Sequence, residues 1–211
     1  RAVELPCPGV PASVPRGRAR VTNQLHHDAG AGITVLVIGA SRGIGLEFAR
    51  QYAADGARVI GTARSDEGLE AVRGARGEPL RLDVLDAAAV AALPARLDGR
   101  VIDVAIVNAG VYGPRVSAIT APGDEEFDLV MRTNVRAPMQ LISALAPALT
   151  DARSRIAVVS SRMGSVSLMS SSAGWLYRAS KAAVNAALKA ASIELGARGI
   201  VCVAFHPGWV R

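Results

Sequence analysis

The sequence predicts one α/β domain: a doubly wound parallel sheet between two helix layers, a three-layer α/β/α fold. From residue 33 onward, short β-branched runs alternate with longer segments rich in alanine and leucine, the pattern of repeated βα units. A glycine-rich turn also joins the first β-branched run directly to the first helical segment. Six strands connected by five helical crossovers make one sheet with helices on both faces.

The strands are the short apolar runs, and the helices are the longer segments between them. We expect strands near Thr34–Ile38, Arg58–Thr62, Leu80–Leu82, Val101–Val107, Ile156–Ser160 and Ile200–Phe205. We expect helices near Ile44–Ala54, Asp66–Arg73, Ala87–Leu97, Glu125–Leu149 and Trp175–Leu195. A chain of 211 residues is long enough for one domain with a sizeable core and too short for two generous ones.

Residues 1–31 differ from the remainder, because they contain four prolines and show neither helical nor strand periodicity. They predict an irregular or disordered extension, followed by a nucleotide-binding domain over residues 32–211. No apolar run of the length of a secretory signal occurs in them, and we expect a cytoplasmic protein. Their arginines and few acids keep organelle targeting open. Because the chain begins with Arg1, we interpret it as a fragment, a processed form or an imperfect gene sequence.

The composition argues against several classes of function. The net charge is +6, but the basic residues are scattered instead of forming a stripe with aromatic residues, so we expect no nucleic-acid binding. No apolar run approaches the ~20 residues that span a bilayer, so we expect no membrane segment. Cys7 and Cys202 have no metal-ligand spacing, and we expect neither a disulfide nor a metal site.

The turn after the first predicted strand has the features of a dinucleotide site. Its glycines permit a tight turn and close approach of the backbone to a pyrophosphate, and the helix that follows offers unpaired N–H groups. The spacing is Gly-x-x-x-Gly-x-Gly, which differs from the general Gly-x-Gly-x-x-Gly pattern, so a turn without a ligand stays the alternative. The predicted cofactor contacts in this turn are Gly39, Ser41, Arg42, Gly43, Ile44 and Gly45.

The end of the second strand predicts which nicotinamide cofactor binds. NAD-specific proteins of this fold place an acid there for the ribose 2′-hydroxyl, but this chain has Arg64. Arg64 and Arg42 suit a 2′-phosphate, because a guanidinium makes charge-assisted contacts with phosphate. We therefore predict NADP in preference to NAD. Two surface arginines without a ligand are the alternative.

The ends of the next two strands complete the predicted cofactor site. Asp83 and Val84 follow the third strand, where an acid can accept a hydrogen bond from the adenine amino group. The small residues after the fourth strand let the backbone pass close to a ribose; they are Asn108, Ala109 and Gly110. Ligands in open α/β sheets bind at the carboxyl ends of the strands, where all of these residues fall.

Tyr177 and Lys181 form a candidate catalytic pair. Four residues apart in a predicted helix, they lie on one face about one turn apart. A neighbouring positive charge favours the phenolate and lowers the pKa of a tyrosine toward the working range. The spacing alone is weak, because such pairs also arise by chance on exposed helices.

These motifs, in this order, resemble the short-chain dehydrogenase/reductase family from about Thr34 to Arg211. The runs Ser160–Ser165, Tyr177–Asn185 and His206–Val210 are similar to the carbonyl-reductase branch that includes C-factor and sniffer-like proteins. The resemblance implies a Rossmann fold and a homodimer or homotetramer. The family continues beyond the point that matches Arg211 with a mobile substrate loop and a last strand, so we expect this chain to be truncated and to lack that strand.

The resemblance also implies residue roles. Tyr177 is the expected acid/base, and Lys181 lowers its pKa and holds the nicotinamide ribose. Ser165, twelve residues before the tyrosine, is expected to orient the carbonyl group. Asn134 is expected to hold a water that links the lysine to solvent. The expected contacts near the nicotinamide are Pro207, Gly208 and Val210.

Together these features predict an NADP-dependent oxidoreductase that transfers a hydride between the nicotinamide and a small carbonyl or alcohol substrate. One alternative is a non-catalytic NADP-binding or signalling protein of the same fold. Within the enzyme class, a 3-oxoacyl carrier-protein reductase stays open.

Overall fold

In a computed structural model of the chain, residues 32–116, 119–149 and 153–208 are described. Their strands form one parallel six-stranded sheet with the order β3-β2-β1-β4-β5-β6. The strands are β1 (Thr34–Ile38), β2 (Arg58–Ala63), β3 (Glu78–Arg81), β4 (Val104–Val107), β5 (Arg155–Val159) and β6 (Val201–Phe205). The predicted doubly wound fold is confirmed. The order reverses between β1 and β4, and this switch point is where such sheets bind ligands.

In the described part of the chain, seven α-helices connect the strands. They are α1 (Gly43–Ala54), α2 (Asp66–Gly74), α3 (Ala87–Ala91), α4 (Leu93–Arg96), α5 (Asp124–Met131), α6 (Ala137–Leu145) and α7 (Trp175–Ala197). The single helix predicted over Ala87–Leu97 is two short helices, because Pro94 lacks the N–H that would continue α3. The long helix predicted over Glu125–Leu149 is also interrupted. A π-helical turn at residues 132–136 separates α5 from α6, and a 3₁₀ turn at residues 146–148 follows α6.

The third strand begins two residues earlier than predicted, at Glu78. Pro79 in this strand argues for a turn, but β3 lies at the edge of the sheet, where a missing N–H is tolerated. The Glu78 carboxylate forms ion pairs with Arg58 on β2 and with Arg100, at 3.1 and 2.7 Å. These contacts lower the pKa of Glu78, with the Arg100 hydrogen bond as the largest cause.

The core has two layers because both faces of the sheet are covered. Along β1, Val35 and Val37 pack on one side with residues of α1 and α2, while Leu36 and Ile38 pack on the other. All four side chains are fully buried. This double burial explains why β1 is a continuous run of apolar residues. The carboxyl end of β1, with the glycine turn, lies at the centre of the sheet edge.

Candidate functional site

A cavity of about 960 Å³ opens at the carboxyl ends of the strands, around the switch point between β1 and β4. The predicted site residues that line it are Gly39, Ser41, Arg42, Gly43, Ile44, Arg64, Asp83, Val84, Asn108, Ala109, Gly110, Tyr177, Lys181, Pro207 and Gly208. Gly45, Asn134 and Ser165 are not among its lining residues. Val210 lies outside the described residues.

The glycine turn is packed tightly against the segment that follows β4. Gly39 has a φ of 86°, and a Cβ atom there would lie 2.9 Å from the Ala109 backbone nitrogen. The Asn108 side-chain amide donates a hydrogen bond to the Gly39 carbonyl at 2.7 Å. A Cβ atom on Gly45 would overlap that same carbonyl oxygen. The absence of a side chain at Gly45 therefore permits close packing of the turn beneath the cavity. Because Gly45 is packed into this turn, it does not line the cavity.

One end of the cavity is positively charged. Arg42 and Arg64 line it and are exposed, and the structure shows neither in an ion pair with a described residue. The Arg64 carbonyl accepts a hydrogen bond from Arg81 on β3 at 2.8 Å. Arg81 is also paired with Asp66, which reduces the negative charge beside Arg64. Glu67 is the acid of α2 that lines this end.

The floor of the cavity contains a polar group that lacks a partner. Thr133, in the π-helical turn, is 6% exposed and lines the cavity, and its Oγ1 atom makes no hydrogen bond within the described part of the chain. A buried hydroxyl without a partner costs about 1–3 kcal/mol. Such π-turns are frequent at functional sites. Together with the arginines at one end of the cavity, this hydroxyl suits a polar, anionic ligand such as a dinucleotide.

Tyr177 and Lys181 lie at the other end of the cavity, where both are desolvated. The Lys181 Nζ atom is 5.6 Å from the centre of the Tyr177 ring and donates a hydrogen bond to the Val159 carbonyl at 2.9 Å. Burial lowers the pKa of Lys181 to about 8. Burial also raises the pKa of Tyr177. The lowering of this pKa that was expected from the lysine stays a prediction. Desolvation disfavours the charged form of each group.

The serine beside Tyr177 is Ser161, and Ser165, which was expected to orient the carbonyl group, does not line the cavity. Ser161 lines the cavity, and its hydrogen-bonding interaction with the phenol lowers the pKa of Tyr177 against the larger effect of burial. The Ser161 Oγ atom accepts a hydrogen bond from the Met163 N–H at 3.1 Å, so its own proton is available for donation. Ser165 ends the next turn, and its Oγ lies 3.3 Å from that of Ser167.

The turn after β5 explains why Ser161, and not Ser165, faces Tyr177. Residues 162–164 form a 3₁₀ turn, and a Cβ atom on Gly164 would lie 2.7 Å from the Lys181 backbone carbon. Glycine therefore lets the turn lie directly on α7. Ser160 donates a hydrogen bond to the Asn185 side chain at 2.6 Å, which fastens the end of β5 to the same helix. Counting residues back from the tyrosine cannot reveal this contact.

Asn134 joins three elements behind the cavity. Its side-chain oxygen accepts from the Val111 N–H at 2.9 Å, and its amide donates to the Val111 carbonyl at 2.7 Å and to Ser180 Oγ at 3.0 Å. Ser180 in turn donates to the Tyr177 carbonyl at 2.8 Å. The side chain thus orients α7 and the segment after β4. The bound water expected at Asn134 stays a prediction.

Sequence reasoning did not predict three of the polar residues that line the cavity: Tyr112, Thr133 and His206. Tyr112 stacks on Tyr177 with ring centres 4.6 Å apart. No periodicity connects residues 112 and 177, because one lies in a connecting segment and the other in a helix. The proximity of His206 to the motif residues Pro207 and Gly208 was the available signal for that residue.

The fold and the cavity define a dinucleotide-binding α/β protein of the Rossmann type, with a tyrosine, a lysine and a serine at the reactive end. The profile of the family described as short chain dehydrogenase matches residues 33–211. The chain belongs to this family of oxidoreductases.

Individual relatives agree with this placement. The 3-oxoacyl-[acyl-carrier-protein] reductase FabG of Escherichia coli is 33% identical over 186 residues, which cover 85% of this chain and 74% of that protein. The C-signal protein of Myxococcus xanthus is 40% identical over 114 residues, 52% of this chain and 66% of that protein. The solved structure of a carbonyl reductase from Pseudomonas aeruginosa in complex with NADP has a TM-score of 0.77 and 34% identity; the match covers 85% of this chain and 84% of that one.

Within residues 32–116, 119–149 and 153–208, no helix is long and apolar enough to cross a membrane. The same part of the chain contains no group of three or more histidine, cysteine or acidic side chains arranged to hold a metal ion.

Proposed function

We propose that the chain is an NADP-dependent oxidoreductase that reduces a small aldehyde or ketone, or oxidises the matching alcohol. One observation carries the proposal: a single cavity has the Tyr177, Ser161 and Lys181 side chains at one end and the Arg42 and Arg64 guanidinium groups at the other. An extended dinucleotide matches this arrangement, with its nicotinamide near the hydroxyl groups and its adenosine near the arginines.

The proposed reaction divides the work between cofactor and protein. The bound nicotinamide supplies or accepts the hydride. In reduction, the Ser161 hydroxyl donates a hydrogen bond to the carbonyl oxygen, and the Tyr177 phenol donates the proton that completes the alcohol. The raised pKa of Tyr177 keeps the phenol protonated and able to act as this donor. In oxidation the same groups act in reverse, with the phenolate as the base.

Lys181 has two proposed tasks. Its buried Nζ atom lies between the Val159 carbonyl and the Tyr177 ring, within the cavity that the cofactor would fill. There it can donate hydrogen bonds to the ribose hydroxyl groups. A bound anionic cofactor would favour the protonated lysine over the neutral one, and this charge would in turn stabilise the phenolate.

NADP is the proposed cofactor because of the charge at the end of β2. Arg64 and Arg42 offer two guanidinium groups to a 2′-phosphate, and residues 62–65 include no acid to hold a free 2′-hydroxyl. The similar carbonyl reductase of Pseudomonas aeruginosa was solved with NADP, which supports the choice. The predicted homodimer or homotetramer and the predicted cytoplasmic location stay predictions.

A 3-oxoacyl carrier-protein reductase is the second candidate function, favoured by the identity with FabG. It uses the same cofactor end and the same reactive groups, and it differs in the substrate presented to Tyr177. A non-catalytic NADP-binding or signalling role is a third candidate. The presence of Tyr177, Ser161 and Lys181 together in one cavity argues against it.

The test is oxidation of NADPH by the purified protein with a panel of small aldehydes, ketones and a 3-oxoacyl thioester. Tyr177→Phe should abolish turnover, and NADPH binding, followed by fluorescence, should change less than threefold. The thioester result separates the first two candidates. NADPH binding with no turnover of any carbonyl compound would support the non-catalytic role instead.

A further inference from the structure

Tyr112 lies directly against the proposed acid. It belongs to the segment between β4 and α5, and its ring is stacked on Tyr177 with centres 4.6 Å apart and planes inclined by 23°. Both residues line the same cavity. An aromatic pair in this geometry contributes about 0.5–1.5 kcal/mol beyond the area it buries. Tyr112 therefore covers one face of the reacting phenol and limits the directions in which it can turn.

The segment that carries Tyr112 is fastened to the beginning of α7, the helix that carries Tyr177. The residue before α7 is Gly174, with a φ of 67°, and its N–H donates to the Val116 carbonyl at 3.1 Å. A Cβ atom on Gly174 would lie only 2.5 Å from the Tyr112 Oη atom. Glycine at this position thus leaves the space that the Tyr112 phenol occupies.

Ionisable groups also lie near the Tyr112–Tyr177 pair. The ionisable groups nearby are Lys181, Arg115 and His206. The Lys181 Nζ atom is 5.6 Å from the Tyr177 ring centre, Arg115 lies over Tyr112 at 5.3 Å, and His206 lines the cavity. Burial raises the pKa of Tyr177 most; interaction with Ser161 lowers it, and Tyr112 raises it further. Removal of the Tyr112 ring should therefore both free the Tyr177 side chain and expose it to water.

We propose that Tyr112 is a positioning residue: its ring holds the Tyr177 phenol in the orientation that reaches a substrate in the cavity. The absence of a side chain at Gly174 leaves the space that makes this stacking possible. The inference rests on the proposed function, in which Tyr177 transfers the proton. Orientation has a large effect on such a step, because a displacement of about 1 Å in a reacting group can cost 10²-fold in rate.

The kinetic test compares two substitutions that differ in whether the ring is kept. Tyr112→Leu should lower kcat at least 10-fold, with the KM for NADPH changed less than twofold, because the cofactor end of the cavity is untouched. Tyr112→Phe keeps the stacked ring and should retain at least a third of kcat. Tyr52→Phe removes a phenol from α1, away from the cavity, and is the matched control with unchanged kinetics.

Gly174 allows the same contact to be perturbed from the opposite side. Gly174→Ala places a methyl group against the Tyr112 Oη atom and should lower kcat as Tyr112→Leu does. The double variant Gly174→Ala with Tyr112→Phe lacks that oxygen and should regain part of the loss, because the ring Cζ atom at 3.1 Å and the positive φ of residue 174 remain. Absence of this rescue would count against the proposed clearance, because backbone strain at Gly174 alone would persist in the double variant.

A second readout does not depend on turnover. The chain has three tyrosines, so ¹³C-labelled tyrosine gives three Cζ signals whose pH titrations can be followed by NMR. The signal assigned to Tyr177 by its loss in Tyr177→Phe should titrate at lower pH in Tyr112→Leu than in the unmodified protein. Unchanged kcat and an unchanged Tyr177 titration in Tyr112→Leu would overturn the inference. A shifted titration in a protein that reduces no carbonyl compound would instead refute the proposed function and leave the stacking contact established.

Discussion

Lys181 offers a quantitative test of the reactive end of the cavity, because burial makes its charge costly. Its pKa is about 8 in the folded protein, against a usual value of 10.5. This difference corresponds to about 3 kcal/mol of lost stability while the lysine is protonated in the fold. Between about pH 8 and 10.5 the unfolded chain binds more protons than the folded protein, so this contribution to stability rises with pH.

Replacement of the lysine by methionine keeps the apolar stem and removes the charge. At pH 7 Lys181→Met should stabilise the cofactor-free protein by about 2 kcal/mol, because the burial cost of about 3 kcal/mol disappears but the hydrogen bond to Val159, about 1 kcal/mol, is also lost. Near pH 10.5 the unmodified lysine is neutral, so the methionine variant should be less stable by about 1 kcal/mol. The sign of the difference should therefore reverse.

Urea unfolding of both proteins at several pH values between 6.5 and 10.5 measures this difference directly. The opposite contributions of Cys202 and Tyr52, whose pKa values burial raises, are common to both proteins and cancel. Lys189→Met, at an exposed position on the same helix, is the matched control and should show no such reversal. A stability difference between Lys181→Met and the unmodified protein that stays constant across this pH range would refute the argued burial cost.

Three further predictions concern Ser161, the arginine end of the cavity and the Thr133 hydroxyl that lacks a hydrogen-bond partner. Ser161→Ala should lower kcat/KM about 10²-fold in NADPH-dependent carbonyl reduction, and Ser165→Ala should change it less than threefold; equal losses would return the role to Ser165. Arg64→Ala should weaken NADPH binding about 10- to 100-fold in a fluorescence titration and leave NADH binding nearly unchanged; equal weakening of both would argue against a 2′-phosphate contact. Thr133→Val should raise the unfolding free energy of the cofactor-free protein by about 1 kcal/mol, and a loss of stability would show that the hydroxyl has a partner.

The local sequence pattern is sufficient to predict most of the strands and helices of the fold. β-branched runs, glycine turns and alanine-rich segments each report on a few consecutive residues, and the strand near Thr34–Ile38 was predicted with its observed bounds. The exceptions have local causes that compete with the pattern. Pro79 suggests a turn but is tolerated at an edge strand, and Pro94 divides a helix whose alanine-rich composition is continuous.

The sequence by itself determined the family, the parallel sheet and most residues of the cofactor end, because those residues follow directly from strand ends that the pattern marks. Only the tertiary structure decided which serine meets Tyr177 and which residue covers the phenol. Ser161 and Tyr112 reach it through close approaches at Gly164 and Gly174, between segments far apart in the chain. Likewise, the pKa of Tyr177 depends on how much water the assembled cavity excludes. Neither the spacing of motifs nor their order contains that information.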